Sequence, residues 1–136
     1  MAAIKTFKVL GETVEILVNR QVSGGGAAVM TQLSPPGGGP PPHVHTREDE
    51  TFTVLEGEFE LFDGTAWRSL RRGEVFFAQR GKPHAFRNSG STDGKMLIFI
   101  SPAGFEEYLE EISPLAMPQD MEKLQQISER FGIRFV

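Results

Sequence analysis

Cysteine is absent from this chain, which removes disulfides, thiolate metal ligands and cysteine nucleophiles together. Any metal would have to be held by nitrogen and oxygen. No run of about 18 apolar residues exists, so a membrane span is not expected. The start, MAAIKTFKVLGETVEI, lacks the basic end, apolar middle and small-residue cleavage site of a secretory signal, and a cytoplasmic location is the resulting expectation. Positive charge is also in short supply, with 14 Lys and Arg against 18 Asp and Glu and a net charge of −4. That balance offers nothing to a phosphate backbone, and nucleic acid is not an expected partner. Histidine is scarce too: the chain has three.

What is present is ordinary for a globular protein. At 136 residues, 39% of them hydrophobic, the chain fits one domain with a single core, residues 1–136. Most of it breaks into short β-rich segments separated by turn residues, the pattern of an all-β sandwich or barrel. Strands are expected near 4–10, 12–18, 27–33, 50–55, 58–62, 66–70, 74–78, 84–88 and 95–100, so a barrel would occupy roughly residues 4–100. Asp63-Gly64 reads as a type I′ hairpin, and Gly57 stands where one strand turns into the next. The stretch SPPGGGPPP, Ser34 to Pro42, must be a loop. The roughly 33 residues before it are too few for a separate domain, which makes it a connection inside one barrel.

The character changes after Pro102. Phe105, Tyr108, Leu109 and Ile112 fall at helical spacing, ended by Ser113-Pro114, and a second helix starting near Pro118 carries Met121, Leu124, Ile127 and Phe131. Both apolar stripes of this segment, 103–131, read first as packing on the outside or mouth of the barrel. A lid or a dimer contact is the sharper alternative.

The histidines are not scattered. In PPHVHTREDETF, His43 and His45 are two apart, so in extended backbone both imidazoles leave on one face and can converge on one ion. Glu50 lies five positions after His45 and would face the other way on an unbroken strand, so the chain must bend through Thr46, Arg47, Glu48 and Asp49. Glu48 and Asp49 read as bend residues facing water, although a one-residue shift in register would make either of them the carboxylate ligand. His84 opens the strand after the turn RGKP, and a closed barrel would bring it beside the first pair. Three imidazoles and a carboxylate suit one divalent ion of iron, nickel, zinc, manganese or copper, with positions left for a small molecule or dioxygen.

At these residues the chain resembles the cupins. Gly37, five residues, His43-Val44-His45, four residues, Glu50, six residues and Gly57 look like the first cupin motif; Gly73, five residues, Gln79-Arg80-Gly81, two residues, His84, three residues and Asn88 look like the second. The usual proline of the second motif is replaced by Gln79, which bears on the stiffness of that turn and not on a ligand. The resemblance covers roughly residues 30–100. It implies a double-stranded β-helix, or jelly roll, with His43, His45, Glu50 and His84 as metal ligands, to which the two C-terminal helices read from spacing are added. The one-domain form is similar to the small quercetin dioxygenase-like cupins, and the family resemblance implies a homodimer, for which the first two strands offer an apolar edge.

Alternation with the ligands aims Phe52, Val54, Phe59, Phe76 and Phe86, together with Leu61, Ala78, Leu97 and Phe99, into the barrel. Most of these read as core, and any at the mouth would line a dry pocket for a small apolar or aromatic molecule. Few other acids or bases point inward. The expectation is therefore a metal-dependent enzyme of dioxygenase type acting on a small enolic, phenolic or diketone-like substrate, with Glu50 able to double as a base. The alternatives are a non-redox isomerase, decarboxylase or lyase, and a non-catalytic module that binds or senses a small molecule.

Overall fold

Period-two alternation dominates the first hundred residues, and it places one sheet face inward along each strand. The computed structural model describes residues 2–136. In chain order it contains β1 (Lys5–Val9), β2 (Glu12–Val18), a short helix α1 (Arg20–Ser23), β3 (Ala28–Ser34), β4 (His43–His45) and β5 (Asp49–Glu56). There follow β6 (Phe59–Phe62), β7 (Trp67–Leu70), β8 (Val75–Ala78), β9 (Ala85–Asn88), β10 (Gly94–Ser101), α2 (Phe105–Ile112), α3 (Met121–Arg130) and β11 (Ile133–Phe135). Among the described residues no helix is long and apolar enough to cross a membrane.

Six strands form one antiparallel sheet in the order β1-β2-β3-β10-β5-β8. Facing it are the sheet β7-β6-β9 and the pair β11-β4, which a bridge between His43 and His84 joins into one layer. This is the expected double-stranded β-helix. The register of the large sheet stacks inward side chains in rows: Gln32 beside Met96 beside Val54, then Met30, Ile98 and Phe52, then Ala28, Ile100 and Glu50. The first two rows pack against Phe59, Leu61 and Phe86 of the opposite layer in a continuous buried core. The third row carries Glu50 at the end of the barrel.

Two expectations need correction here. Leu97 and Phe99 lie on the outer face of β10, where Phe99 is 46% exposed, because Met96, Ile98 and Ile100 take the inward positions. The Asp63-Gly64 hairpin exists, but its loop spans four residues: Phe62 pairs with Trp67, and the Asp63 carboxylate accepts the Thr65 and Ala66 amides at 2.9 Å each. A side chain that closes the turn itself makes the two-residue form unnecessary.

The helices α2 and α3 cross one end of the barrel. Tyr108 of α2 and Ser128 of α3 share a buried hydrogen bond of 2.7 Å, and the buried Glu106 accepts the Arg20 amide at 2.8 Å, tying α2 to α1. The chain then reaches Gly132, in the left-handed region at φ 72°, and returns as β11 along β4, pairing Ile133 with His45 and Phe135 with His43.

Candidate metal centre

His43 and His45 sit on a three-residue strand whose two edges are both paired. On one side His43 and His84 exchange backbone hydrogen bonds of 3.0 Å each; on the other lies β11. The turn before His84 is held by the Gly81 amide donating to the His45 carbonyl at 2.7 Å and by Lys82 donating to Gln79 at 3.2 Å. Arg80 reaches across to Asp49, its side chain at 3.1 Å and its amide at 2.8 Å. Asp49 is thus a clamp between the two motif regions, and backbone bonds secure the turn without the usual proline.

The three imidazoles converge, with one ligand atom from each lying within 4.8 Å of the others, and all three rings are buried. The donors behind them fix their protons. His43 Nδ1 faces the Pro41 carbonyl at 3.0 Å, and a carbonyl can only accept, so the proton is on Nδ1 and the lone pair on Nε2. His45 Nδ1 faces Glu48 Oε1 at 2.7 Å, and the same argument holds for a carboxylate. His43 Nε2 and His45 Nε2 stand 3.0 Å apart, and the His43 lone pair faces the His45 ring nitrogen. That separation suits a shared cation, because two nitrogens about 2.1 Å from one ion and at right angles stand about 3 Å apart.

Glu50 completes the picture. Its Oε1 is 3.0 Å from His45 Nε2 and its Oε2 is 3.5 Å from His84 Nε2. Neither contact is aligned as a hydrogen bond, and Glu50 Oε1 and both ring nitrogens of His84 are buried without a hydrogen-bonding partner among the described residues. Unpartnered buried polar atoms of this kind are rare and point to an ion or ligand. The donor set, three imidazoles beside a carboxylate, fits a divalent transition metal.

The electrostatics agree. Burial, reinforced by the neighbouring imidazoles, pushes His43 down to about 3, which keeps it neutral and able to ligate. Burial also acts to lower His45, but the Glu50 charge and the Glu48 hydrogen bond outweigh it and the net shift is upward. Burial acts to raise Glu50, yet the imidazoles, His45 foremost, hold it down at about 2. Glu50 is an anion at neutral pH, aimed at the cluster.

A cavity of about 440 Å³ opens beside the cluster, with His43 and Glu50 in its wall. Of the expected lining residues, Phe52 and Phe86 face it. Val54 and Phe59 do not: both are buried deeper, in the core rows. Phe76 packs behind Phe52, ring centroids 6.2 Å apart, and also stays out of the cavity. The space they were expected to fill is bounded instead by the helices, through Phe105, Tyr108, Leu109 and Leu124, and by β11. The C-terminal segment is thus a wall of the cavity at the mouth of the barrel.

Two residues escaped the sequence reading. Glu48, expected in solvent, is 4% exposed and orients His45; the bend turns it back beneath the ring three positions earlier. Glu12, at the start of β2, is buried and lines the cavity. Its place in the alternation with Val14 and Ile16 was the available signal.

The cupin domain family matches residues 30–100, more than half of the chain and both histidine motifs. A curated but uncharacterised protein of Aquifex aeolicus is 36% identical over 57 residues, which is 42% of this chain and 47% of that protein, so the match spans about half of the relative's length. Among solved structures, a predicted oxalate decarboxylase from Thermotoga maritima superposes with a TM-score of 0.69 at 23% identity, over 75% of this chain and 99% of that one. KdgF from Halomonas gives 0.68 at 20% identity, over 79% and 97%. Those identities speak for the fold, while the family match takes in the histidine strand, the bend and the second motif together: the chain belongs to the cupin family.

Proposed function

We propose that this cupin is a metal-dependent enzyme of dioxygenase type, acting on a small enolic, phenolic or diketone-like molecule held in the cavity beside the histidines. The observation that carries the reading is the convergence of three buried imidazoles, their ligand atoms within 4.8 Å of one another, next to a buried carboxylate and at the wall of a largely apolar space. His43, His45 and His84, with Glu50, would hold the ion. Bound there, a transition metal supplies Lewis acidity and, for iron, copper, nickel or manganese, access to dioxygen chemistry.

The chain's own contributions are positional. Phe52, Phe86 and the α2–α3 wall exclude water from the bound molecule and favour a flat apolar body. Glu50, whose Oε1 has no hydrogen bond of its own, would take a proton from the substrate on loosening from the ion.

A non-redox reading, in which the same site isomerises, decarboxylates or eliminates, is favoured by one observation: a second buried carboxyl, Glu12, stands in the cavity wall. The two readings separate in one experiment. Protein purified without a histidine tag is expected to contain about one transition-metal ion per chain, to lose it in His84→Ala, and to take up oxygen with a β-diketone or a flavonol. Turnover without oxygen selects the non-redox reading; binding with no turnover in any metal form selects a sensor. Absence of a stoichiometric ion from fully loaded protein overturns all metal chemistry here.

A further inference from the structure

Glu12 begins β2 beside Leu10 and Gly11, yet its side chain is 7% exposed and lines the same cavity as His43 and Glu50. Its oxygens are not equivalent. Oε1 accepts the Gln32 amide at 3.1 Å and also the Ser34 hydroxyl. The hydrogen bonds that the structure shows to this carboxyl both end on Oε1. Oε2 lies over Gly38, so close that a Cβ there would come within 2.6 Å of it.

Two ladders measure how far this group stands from the histidines. Along β9 and the chain before it, His43 is bonded to His84 while Gly38 is bonded to Asn88, four residues further on, a backbone separation of about 13 Å at about 3.3 Å per residue. Across the large sheet, Gln32 is four residues along β3 from Ala28, the residue in the Glu50 row, which gives the same figure. The cavity therefore has polar groups at two ends and apolar walls, among them Phe52, Phe86 and Ile98, between them.

We propose that Glu12, backed by Gln32 and Ser34, is a second polar anchor that binds the far end of an elongated ligand and selects one whose apolar body carries a hydrogen-bond-accepting oxygen at its tail. The inference rests on the reading that the other end of the ligand is held at the histidine cluster. Burial, opposed by the Ser34 and Gln32 hydrogen bonds, raises the Glu12 pKa on balance. With Oε1 occupied by two donors, a proton taken up by the carboxyl sits on Oε2, from which it can be donated to an acceptor on the ligand. An apolar tail in the same place would strip that donor of water and return nothing, a loss that discriminates strongly between otherwise isosteric ligands.

The test uses two β-diketone probes of nearly equal shape, 1-(4-acetylphenyl)-1,3-butanedione and 1-(4-isopropylphenyl)-1,3-butanedione. They are titrated calorimetrically into the full chain loaded with zinc, which has no redox chemistry of its own. Wild type is expected to bind the acetyl probe about tenfold more tightly, the effect of one net hydrogen bond. Glu12→Gln, whose amide still donates from the Oε2 position, keeps the preference; Glu12→Leu abolishes it. Melting curves of both variants establish that they fold, and if Glu12→Leu does not, Gln32→Leu with Ser34→Ala, which frees the carboxyl to turn away, is expected to reduce the preference in its place. Equal binding of the probes to wild type, binding of neither, or a preference kept in Glu12→Leu overturns the anchor. Both affinities unchanged on removing zinc, with the preference intact, would overturn the metal reading and leave the anchor standing.

Discussion

His45 is held from both sides of its ring. Its Nδ1 bonds Glu48 at 2.7 Å, and its Nε2 faces His43 and Glu50 at 3.0 Å each. Removing the partner behind a metal-binding imidazole frees its rotation and its tautomer, and typically weakens metal binding by about 10- to 100-fold. Glu48→Ala is therefore expected to raise the zinc dissociation constant by that factor, measured by competition with a chelator, while Glu48→Gln, which keeps an acceptor, has the smaller effect. An unchanged constant in Glu48→Ala would show that strand β4 alone orients the ring. This residue also marks how far the site was legible. The spacing of His43, His45 and Glu50 is local and periodic, so the face each side chain takes follows from the strand and its bend. Glu48 lies inside the bend, where no period applies, and only the path of the chain decides whether it meets water or turns under the ring. Asp49, one residue on, meets Arg80 from 31 positions away, a contact with no local signature.

At the scale of elements, the strands announced by alternation agree with the structure to within about a residue, whereas KMLIFI of β10 was misphased. It is apolar on both faces, so its period carries no phase, and a one-residue slip exchanges Leu97 and Phe99 with Met96, Ile98 and Ile100. Strand β11 was invisible for another reason: Ile133–Phe135 is three residues long and follows a helix, too short for any pattern. It nevertheless backs the histidine strand, and Gly132 permits its approach. At Gly132 the backbone is left-handed and an added Cβ would overlap Thr46 Oγ1, whose hydroxyl and amide both donate to the Gly132 carbonyl, at 2.8 and 2.9 Å. Gly73 is left-handed as well, at φ 84°, but has open space around it. Gly73→Ala is thus expected to cost only backbone strain, about 1–2 kcal/mol. Gly132→Ala should cost more, because strand β11 must shift away from β4. Thermal melts of the two variants compare the costs directly, and equal losses would mean that the fit of β11 against Thr46 contributes nothing.

For the whole molecule, exposed apolar side chains lie both at the ends of β1, where Ile4 and Leu10 are exposed, and elsewhere on the barrel. Strand β1, expected to offer an apolar edge with β2, exposes Lys5, Thr6 and Lys8, and lysines on an edge discourage pairing. A cluster of exposed apolar side chains lies at the opposite margin, on the outer face of β10, β5 and β8. The register there sets Phe99 and Phe77 on either side of Thr51, and Leu97 and Val75 on either side of Thr53. Val75 is 64% exposed, Phe77 58% and Phe99 46%, and β8 is the last strand of its sheet, with one edge free. A contiguous patch of this kind on an otherwise well-packed barrel is the mark of an interface. An isologous contact, in which β8 and its flanking aromatics met their own copies across a two-fold axis, would cover the patch and the free edge together. Light scattering is then expected to give about twice the chain mass of 15.1 kDa. Phe77→Glu combined with Phe99→Glu should yield the single-chain mass with an unaltered far-ultraviolet spectrum, because both side chains point away from the core. The cavity lies on the inner side of the sheet, so zinc and probe binding should survive the separation; a wild-type mass equal to one chain refutes the dimer.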